Sequence, residues 1–302
     1  MTLGSSASSP PVAAVVTVGD ELLYGETLNT NGSWLGEQLS RVGLAVHRRM
    51  VVRDVREDSQ AAVASSLEIG EVVVVTGGLG PTPDDLTRDA VASLLGVPLV
   101  EDPSLLQHLT ARFQARGYDT IPEQGRRMAL VPKNGEVLPN PLGAAPGIVF
   151  HCSKEGLCIL LPGVPKEMKG IFSQGVEPLL RERYSQRLEE VLHRVVNTHG
   201  VPESILMDEI RGLFPGDAND ISLAFLPDEV GVRLRFSTRQ SQGADVASKK
   251  LDDLEKLLSP VLDRYRYEAA SGDLAEAVGG ALHGAGETLA VAESCTGGLI
   301  SK

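Results

Sequence analysis

The chain has 302 residues, 42% hydrophobic and 23% charged, which is too apolar for a disordered polymer and too polar for a membrane-embedded one. At roughly 150 residues per domain, about two domains are expected. Against 28 Lys and Arg stand 40 Asp and Glu, a net charge of −12, which argues against a broad basic surface for nucleic acid. A small anionic ligand stays within reach, because oriented backbone N–H groups and bound metals supply positive field locally.

The segment Met1–Pro11 is rich in Ser and Pro, lacks a basic start, and reads as a disordered tail. Val12–Val18 is a β-branched run feeding a loop at Gly19. Asn31 or Ser33 is placed to cap a helix running to about Arg41, with Trp34, Leu35, Leu39 and Val42 on one face. Leu44–Val52 has strand character and Ser59–Glu68 helical character. Val72-Val73-Val74-Val75 is unbroken, the pattern of a strand covered on both faces. A Gly-rich turn then leads into a helix expected from Thr82 or Asp84 to Leu95. Alternating strands and helices imply a parallel sheet. Asp102–Arg116 and a segment around Arg126–Leu130 read as helices, and Ile148–Phe150 and Leu157–Leu161 as strands paired around Lys154-Glu155-Gly156. A helix opens at Pro165, and the charged run Arg181–Arg187 marks a boundary.

Beyond it the order changes. Val191–His199 suggests a strand, Pro202–Leu213 a helix, Ile221–Leu226 and Val230–Ser237 strands, and Ala244–Arg264 a helix with Leu251, Leu254 and Leu258 on one face. This β-α-β-β-α order is that of a small α+β domain. From Asp273 a helix leads to an expected strand Leu289–Ala292 and then to Ala292-Glu293-Ser294-Cys295-Thr296-Gly297-Gly298. That strand has no sheet partners in its own segment, so it reads as the beginning of a third, incomplete domain. The three cysteines cannot form a disulfide framework, and the six histidines show no metal-ligand spacing. No run approaches about 18 consecutive apolar residues, so no spanning helix is expected and a cytoplasmic location is the default.

Four motifs carry candidate chemistry. Thr76-Gly77-Gly78-Leu79-Gly80-Pro81-Thr82-Pro83-Asp84-Asp85 leaves the C-terminal end of a buried strand, the edge at which open α/β sheets bind ligands. Its glycines let backbone approach an anion, and the following helix start favours phosphate. Asp84 and Asp85 are placed to hold a divalent cation through oxygen. A plain tight turn, with Thr82 or Asp84 as cap and the acids complementing the dipole, is the alternative, but three glycines, two prolines and two acids exceed what a cap requires. Gly19-Asp20-Glu21-Leu22-Leu23 with Asn29-Thr30-Asn31 reaches the same edge. There Glu21 can ligate metal or orient water, and Asn29 and Asn31 can bond a ligand; a polar loop with an Asn cap is the alternative. Asn140–Gly147 and Leu161–Met168 are stiff Pro/Gly loops that bring backbone close to a ligand or merely punctuate turns.

Taken together, Gly-Asp-Glu-Leu-Leu…Asn-Thr-Asn, Thr-Gly-Gly-Leu-Gly-Pro-Thr-Pro-Asp-Asp, Pro-Leu-Gly-Ala-Ala-Pro-Gly and Leu-Pro-Gly-Val-Pro-Lys-Glu-Met resemble the CinA family (competence/damage-inducible protein A) from about Val12 to Lys302. The resemblance implies an α/β fold: a parallel-sheet molybdopterin-binding-like domain of MoaB/MogA type over 12–185, after the tail 1–11. A KH-like α+β domain over 186–270 and the start of a deamidase domain over 271–302 follow. It implies metal-dependent hydrolysis of ADP-ribose to AMP and ribose 5-phosphate, with Mg or Co as the divalent ion and K as a further candidate. Glu21 and Asp85 are then the expected catalytic carboxylates, and Asp84, Asp85 and Glu21 the metal ligands. Gly19, Asn29, Asn31, Thr76, Gly77, Gly78, Gly80, Thr82, Gly147, Pro162, Gly163 and Glu167 are the expected substrate and phosphate contacts. Ser294 matches the nucleophile of the family's nicotinamide mononucleotide deamidase, whose further residues lie beyond Lys302, so that activity is expected to be lacking here. The two activities together would recycle pyridine nucleotides. A homodimer is expected, and the family's name suggests contact with a recombinase.

Two rivals use the same sequence. A molybdopterin-class binding protein would use the same Gly-rich loop without hydrolysis, and an interaction protein in DNA uptake or recombination would need no catalytic carboxylate. Between Leu188 and Glu268 there is no Gly-x-x-Gly loop, and 10 basic residues face 15 acidic ones, so direct nucleic-acid binding there is disfavoured. Arg233 and Arg235 on one strand are the residual argument for an acidic partner.

Overall fold

The computed structural model describes residues 9–152, 156–214, 221–240 and 243–299. The chain divides into two compact units between Glu190 and Val191.

The first unit begins with β1 (Val12–Val18), the four-residue α1 (Asp20–Leu23), α2 (Thr30–Val42), β2 (Ala45–Val52) and α3 (Arg56–Ile69). It continues with β3 (Val72–Thr76), α4 (Thr87–Leu95), β4 (Leu99–Glu101), α5 (Pro103–Gln114), α6 (Glu123–Arg127), β5 (Leu130–Pro132) and β6 (Glu136–Leu138). It closes with β7 (Gly147–His151), β8 (Leu157–Leu161), α7 (Pro165–Ile171), one wide turn over Phe172–Val176 and α8 (Glu177–Arg183). The main sheet runs β2-β1-β3-β8-β7-β6. Its first four strands are parallel. β7 and β6 are antiparallel, so the expected parallel sheet carries a reversed edge. The reason is local: β7 turns straight back into β8, and only a longer crossover permits a parallel pair. The turn expected at Lys154-Glu155 lies outside the described residues.

β3 is the central strand, and Val72–Val75 are wholly buried, as the unbroken run requires. Its alternate residues feed two cores. Val72 and Val74 join Ala13, Val15, Leu35, Leu39, Met168 and Phe172 on one face. Val73 and Val75 join Val16, Val63, Val91, Leu109 and Phe150 on the other. Each such valine contributes roughly 1.5–3 kcal/mol by leaving water. The chain steps from β1 outward to β2, then returns to β3 on β1's other side and continues to β8. The β1/β3 boundary is therefore the switch point, where loops leave the strand ends in opposite directions and open a crevice.

The second unit contains β9 (Val191–His199), α9 (Glu203–Arg211), β10 (Ile221–Pro227), β11 (Gly231–Arg239), α10 (Ala244–Leu262), β12 (Arg266–Tyr267) and α11 (Leu274–Ala285). Its sheet is antiparallel in the order β10-β11-β9-β12, and Leu206, Ile210, Leu251, Leu254 and Leu258 pack on Val196, Val232, Leu234 and Phe236. The strand expected at Leu289–Ala292 does not form: those residues pair with no neighbour, and Leu289 is 70% exposed. An apolar run becomes a strand only when a sheet edge receives it. Among the described residues no helix is long and apolar enough to cross a membrane.

Candidate active site

The parallel strands β1, β3 and β8 end in register, with Thr17 beside Thr76 and Thr76 beside Leu161. Three loops therefore leave the sheet at one level, and hydrogen bonds continue the ladder into them. Gly19 N–H donates to Val52 O at 3.0 Å, and Gly77 N–H donates to Leu161 O at 3.1 Å. Gly77 (φ +109°) passes so close to β1 that a Cβ there would lie 2.3 Å from the Val18 carbonyl oxygen. Only glycine meets both demands.

Between these loops lies a cavity of about 440 Å³. Gly19, Gly77, Gly78, Gly80, Pro162 and Gly163 line it as expected, together with the carboxylates of Glu21, Asp85 and Glu167. A fourth carboxylate, Asp54, was not anticipated. It follows the end of β2, and parallel pairing of Val18 with Val52 carries it to the same edge. Asp20 and Asp54 clasp one another: Asp20 N–H donates to Asp54 Oδ2 at 3.1 Å, and Asp54 N–H to Asp20 Oδ1 at 3.3 Å. Burial pushes the Asp54 carboxyl above its ordinary value; the bond from Asp20 opposes this, and the charges of Glu21, Asp20 and Asp85 add to it.

Asn140 fixes the opposite wall. Its side chain is 7% exposed and makes four hydrogen bonds. Nδ2 donates to Ala145 O at 2.7 Å and to Glu167 Oε2 at 2.6 Å, while Oδ1 accepts from the N–H groups of Leu142 and Gly143. Glu167, in the first turn of α7, is thereby held at Gly143, where a Cβ would overlap its carboxylate.

Several expected contacts sit elsewhere. The helix after the Gly-rich loop starts at Thr87, not at Thr82 or Asp84. Asp85 folds back instead, accepting from Thr82 N–H at 2.8 Å and from the Thr82 hydroxyl, which closes a turn ahead of the helix. Asp84 is consequently exposed, and neither it nor Thr82 lines the cavity. Asn29, not Asn31 or Ser33, caps α2 by accepting from Gly32 N–H. Asn31, in the first turn of that helix, is buried and donates to Gly163 O at 2.7 Å. Thr76 donates its hydroxyl to Pro162 O at 2.9 Å. Asn29, Asn31 and Thr76 line a smaller cavity of about 140 Å³ that shares Glu21 and Gly163 with the main one. Gly147 is a packing residue inside β7, where a Cβ would meet Ile171 at 2.7 Å. Ser294 is exposed in the second unit, in a turn closed by Gly297 N–H onto its carbonyl.

The donor set decides which ion the main cavity suits. Four carboxylates and no basic side chain line it. Such oxygen donors are of the kind that a hard divalent cation takes. Among the described residues no three His, Cys, Asp or Glu side chains converge on one point, so the expected Glu21–Asp84–Asp85 ligand set is not assembled. A cation held there would take one or two of these carboxylates, with its remaining positions left to other oxygens.

Residues 14–182 match a family model described as "Probable molybdopterin binding domain", and residues 193–267 one described as "Damage-inducible protein CinA KH domain". The CinA-like protein of Salinibacter ruber is 39% identical over 288 residues, which are 95% of this chain and 69% of that protein. The CinA-like protein of Gemmatimonas aurantiaca is 37% identical over 288 residues, 95% of this chain and 67% of that protein. Among solved structures, the protein CinA of unknown function from Thermoplasma acidophilum superposes with a TM-score of 0.53 at 35% identity, covering 57% of this chain and 99% of that one.

Proposed function

This chain belongs to the CinA family, and from that membership and the carboxylate-lined cavity we propose that its first unit hydrolyses ADP-ribose to AMP and ribose 5-phosphate with the help of a divalent cation. The observation that carries the reading is the meeting of Glu21, Asp54, Asp85 and Glu167 around three glycine-bearing loops at the switch point of the sheet.

Under this reading the Gly77–Gly80 backbone approaches the diphosphate, which glycine permits and larger residues would block. Glu21 and Asp85 would hold the cation, which when bound neutralises phosphate charge and polarises the phosphorus–oxygen bonds. Asp54 accepts a proton from the attacking water, a task that its upward shift suits. The water oxygen bonds to one phosphorus and the bridging P–O bond breaks, leaving AMP and ribose 5-phosphate. Glu167, locked by Asn140, faces the ligand from the opposite wall and accepts hydrogen bonds from its hydroxyl groups.

The test is a screen of divalent metals against ADP-ribose with product analysis. AMP and ribose 5-phosphate are expected, with Asp85→Ala reducing turnover at least about 100-fold; no turnover with any divalent ion ends the proposal. A second reading, ligand binding without hydrolysis, is favoured by the family model matched over residues 14–182. Titration with molybdopterin separates the two, since a binder saturates without product.

A further inference from the structure

Arg88 is 2% exposed and, among the described residues, the only Lys, Arg, Asp or Glu that is fully buried. Proteins bury arginine paired, because an unpaired guanidinium in a dry interior is costly. Among the described residues this one has no ion-pair partner. Its Nε finds no hydrogen-bond partner. The two acids whose charge it feels are occupied elsewhere, Asp85 with Thr82 and Asp89 with Arg127 at 2.8 Å. Its neighbour Thr87 shows the same anomaly: that hydroxyl is buried without a partner, directly behind Gly78, where a Cβ would lie 2.2 Å from it.

The position explains the anomaly. Arg88 is the second residue of α4, the helix that follows the Gly-rich loop. Arg56 donates to the Asp89 carbonyl at 3.4 Å and Arg127 holds the Asp89 carboxylate, so this helix start draws two further arginines to Asp89, one at its backbone and one at its side chain. The cavity, whose charged lining is four carboxylates, thus has a buried guanidinium near its Gly-rich loop: Thr87, next to Arg88 in the chain, packs against Gly78, and Arg88 feels the charge of Asp85 on the cavity wall. A buried charge is screened less by salt than an exposed one, and its field reaches farther than a surface lysine's.

We propose that Arg88 is a positioning residue: a buried positive charge at the start of the helix that follows the Gly77–Gly80 loop, whose field acts on the phosphate the loop receives. The inference rests on the reading of the cavity as a nucleotide phosphate site. It makes Arg88 a residue kept against the interest of stability, and that gives it a signature of its own. A structural arginine loses stability when replaced by methionine of similar length; an unpaired one loses none.

The full-length chain, wild type, Arg88→Met and Arg88→Lys, is compared by calorimetric titration with AMP in the presence of Mg²⁺ and by thermal unfolding without ligand. AMP carries phosphate but no pyrophosphate bond, so turnover does not interfere. In Arg88→Met, AMP affinity should fall about tenfold while the unfolding midpoint holds or rises, and Arg88→Lys should stay within about threefold of wild type because it keeps the charge. Equal AMP affinity in wild type and Arg88→Met overturns the proposal, and so does a lowered midpoint or failure to fold in Arg88→Met. If wild type itself binds no AMP, the reading of the cavity fails and Arg88's role falls with it, a result distinct from the other two.

Discussion

Asp20 and Asp54 each present a carboxylate oxygen to the other's backbone N–H, at 3.3 and 3.1 Å, and so tie the end of β2 to the start of α1. Burial raises the Asp54 carboxyl above its ordinary value, so the folded chain binds its proton more tightly than the unfolded chain does. The stability this residue contributes is full below the ordinary carboxylate range and is lost as pH rises through its raised value. Asp54→Asn, which stays neutral, should therefore raise the unfolding midpoint near neutral pH, with the gain disappearing in acid. The same variant should bind divalent cation more weakly. A midpoint that drops at neutral pH would contradict the assignment.

Asn140 satisfies both of its donors and accepts twice, so its removal leaves Glu167 and two loop N–H groups without partners. Asn140→Ala should cost about 2–3 kcal/mol in denaturant unfolding. Asn140→Asp restores the acceptor but sets a carboxylate against Glu167, so its loss should shrink as pH falls. Equal loss in both variants at every pH would show that the contact with Glu167 carries nothing.

Gly143 and Gly170 form an internal comparison. A Cβ at Gly143 overlaps the Glu167 carboxylate, whereas one at Gly170 meets nothing nearer than Leu142 at 3.7 Å. Gly143→Ala should displace Glu167 and lower kcat/KM for ADP-ribose roughly tenfold. Gly170→Ala, inside α7, should keep activity and gain up to about 1 kcal/mol of stability. Identical kinetics in the two variants would remove Glu167 from the site.

Gly77→Ala combines a left-handed backbone with a 2.3 Å approach to the Val18 carbonyl. Neither can relax without moving β1 or β3. The expected loss is roughly 3–5 kcal/mol, read as a fall in the denaturant midpoint of the first unit.

The positions of the loops were legible in sequence because the signal was local. Val72–Val75 could only be a strand with both faces covered, and three glycines after it could only be a loop at its end. Asp54 was not legible: it is one acid in a charged stretch, and what brings it to Asp20, 34 residues away, is the parallel register of β1 and β2. Thr82–Asp85 misled for the opposite reason. A threonine followed three residues later by an acid is also a helix-start signature, and here the pair closes a turn before the helix begins. The three-residue strands β4, β5 and β6 are too short to show alternation at all.

Because β1, β3 and β8 stop at the same height, the floor of the cavity is the flush end of the core itself. Only the loop tips above that floor are free to vary, because Leu79 and Ala145 of the cavity's loops are anchored in the core below and a change at those anchors reaches the valines. Deleting one residue inside β3 goes further, since every side chain past the deletion would swap faces and the platform would vanish before any loop was touched.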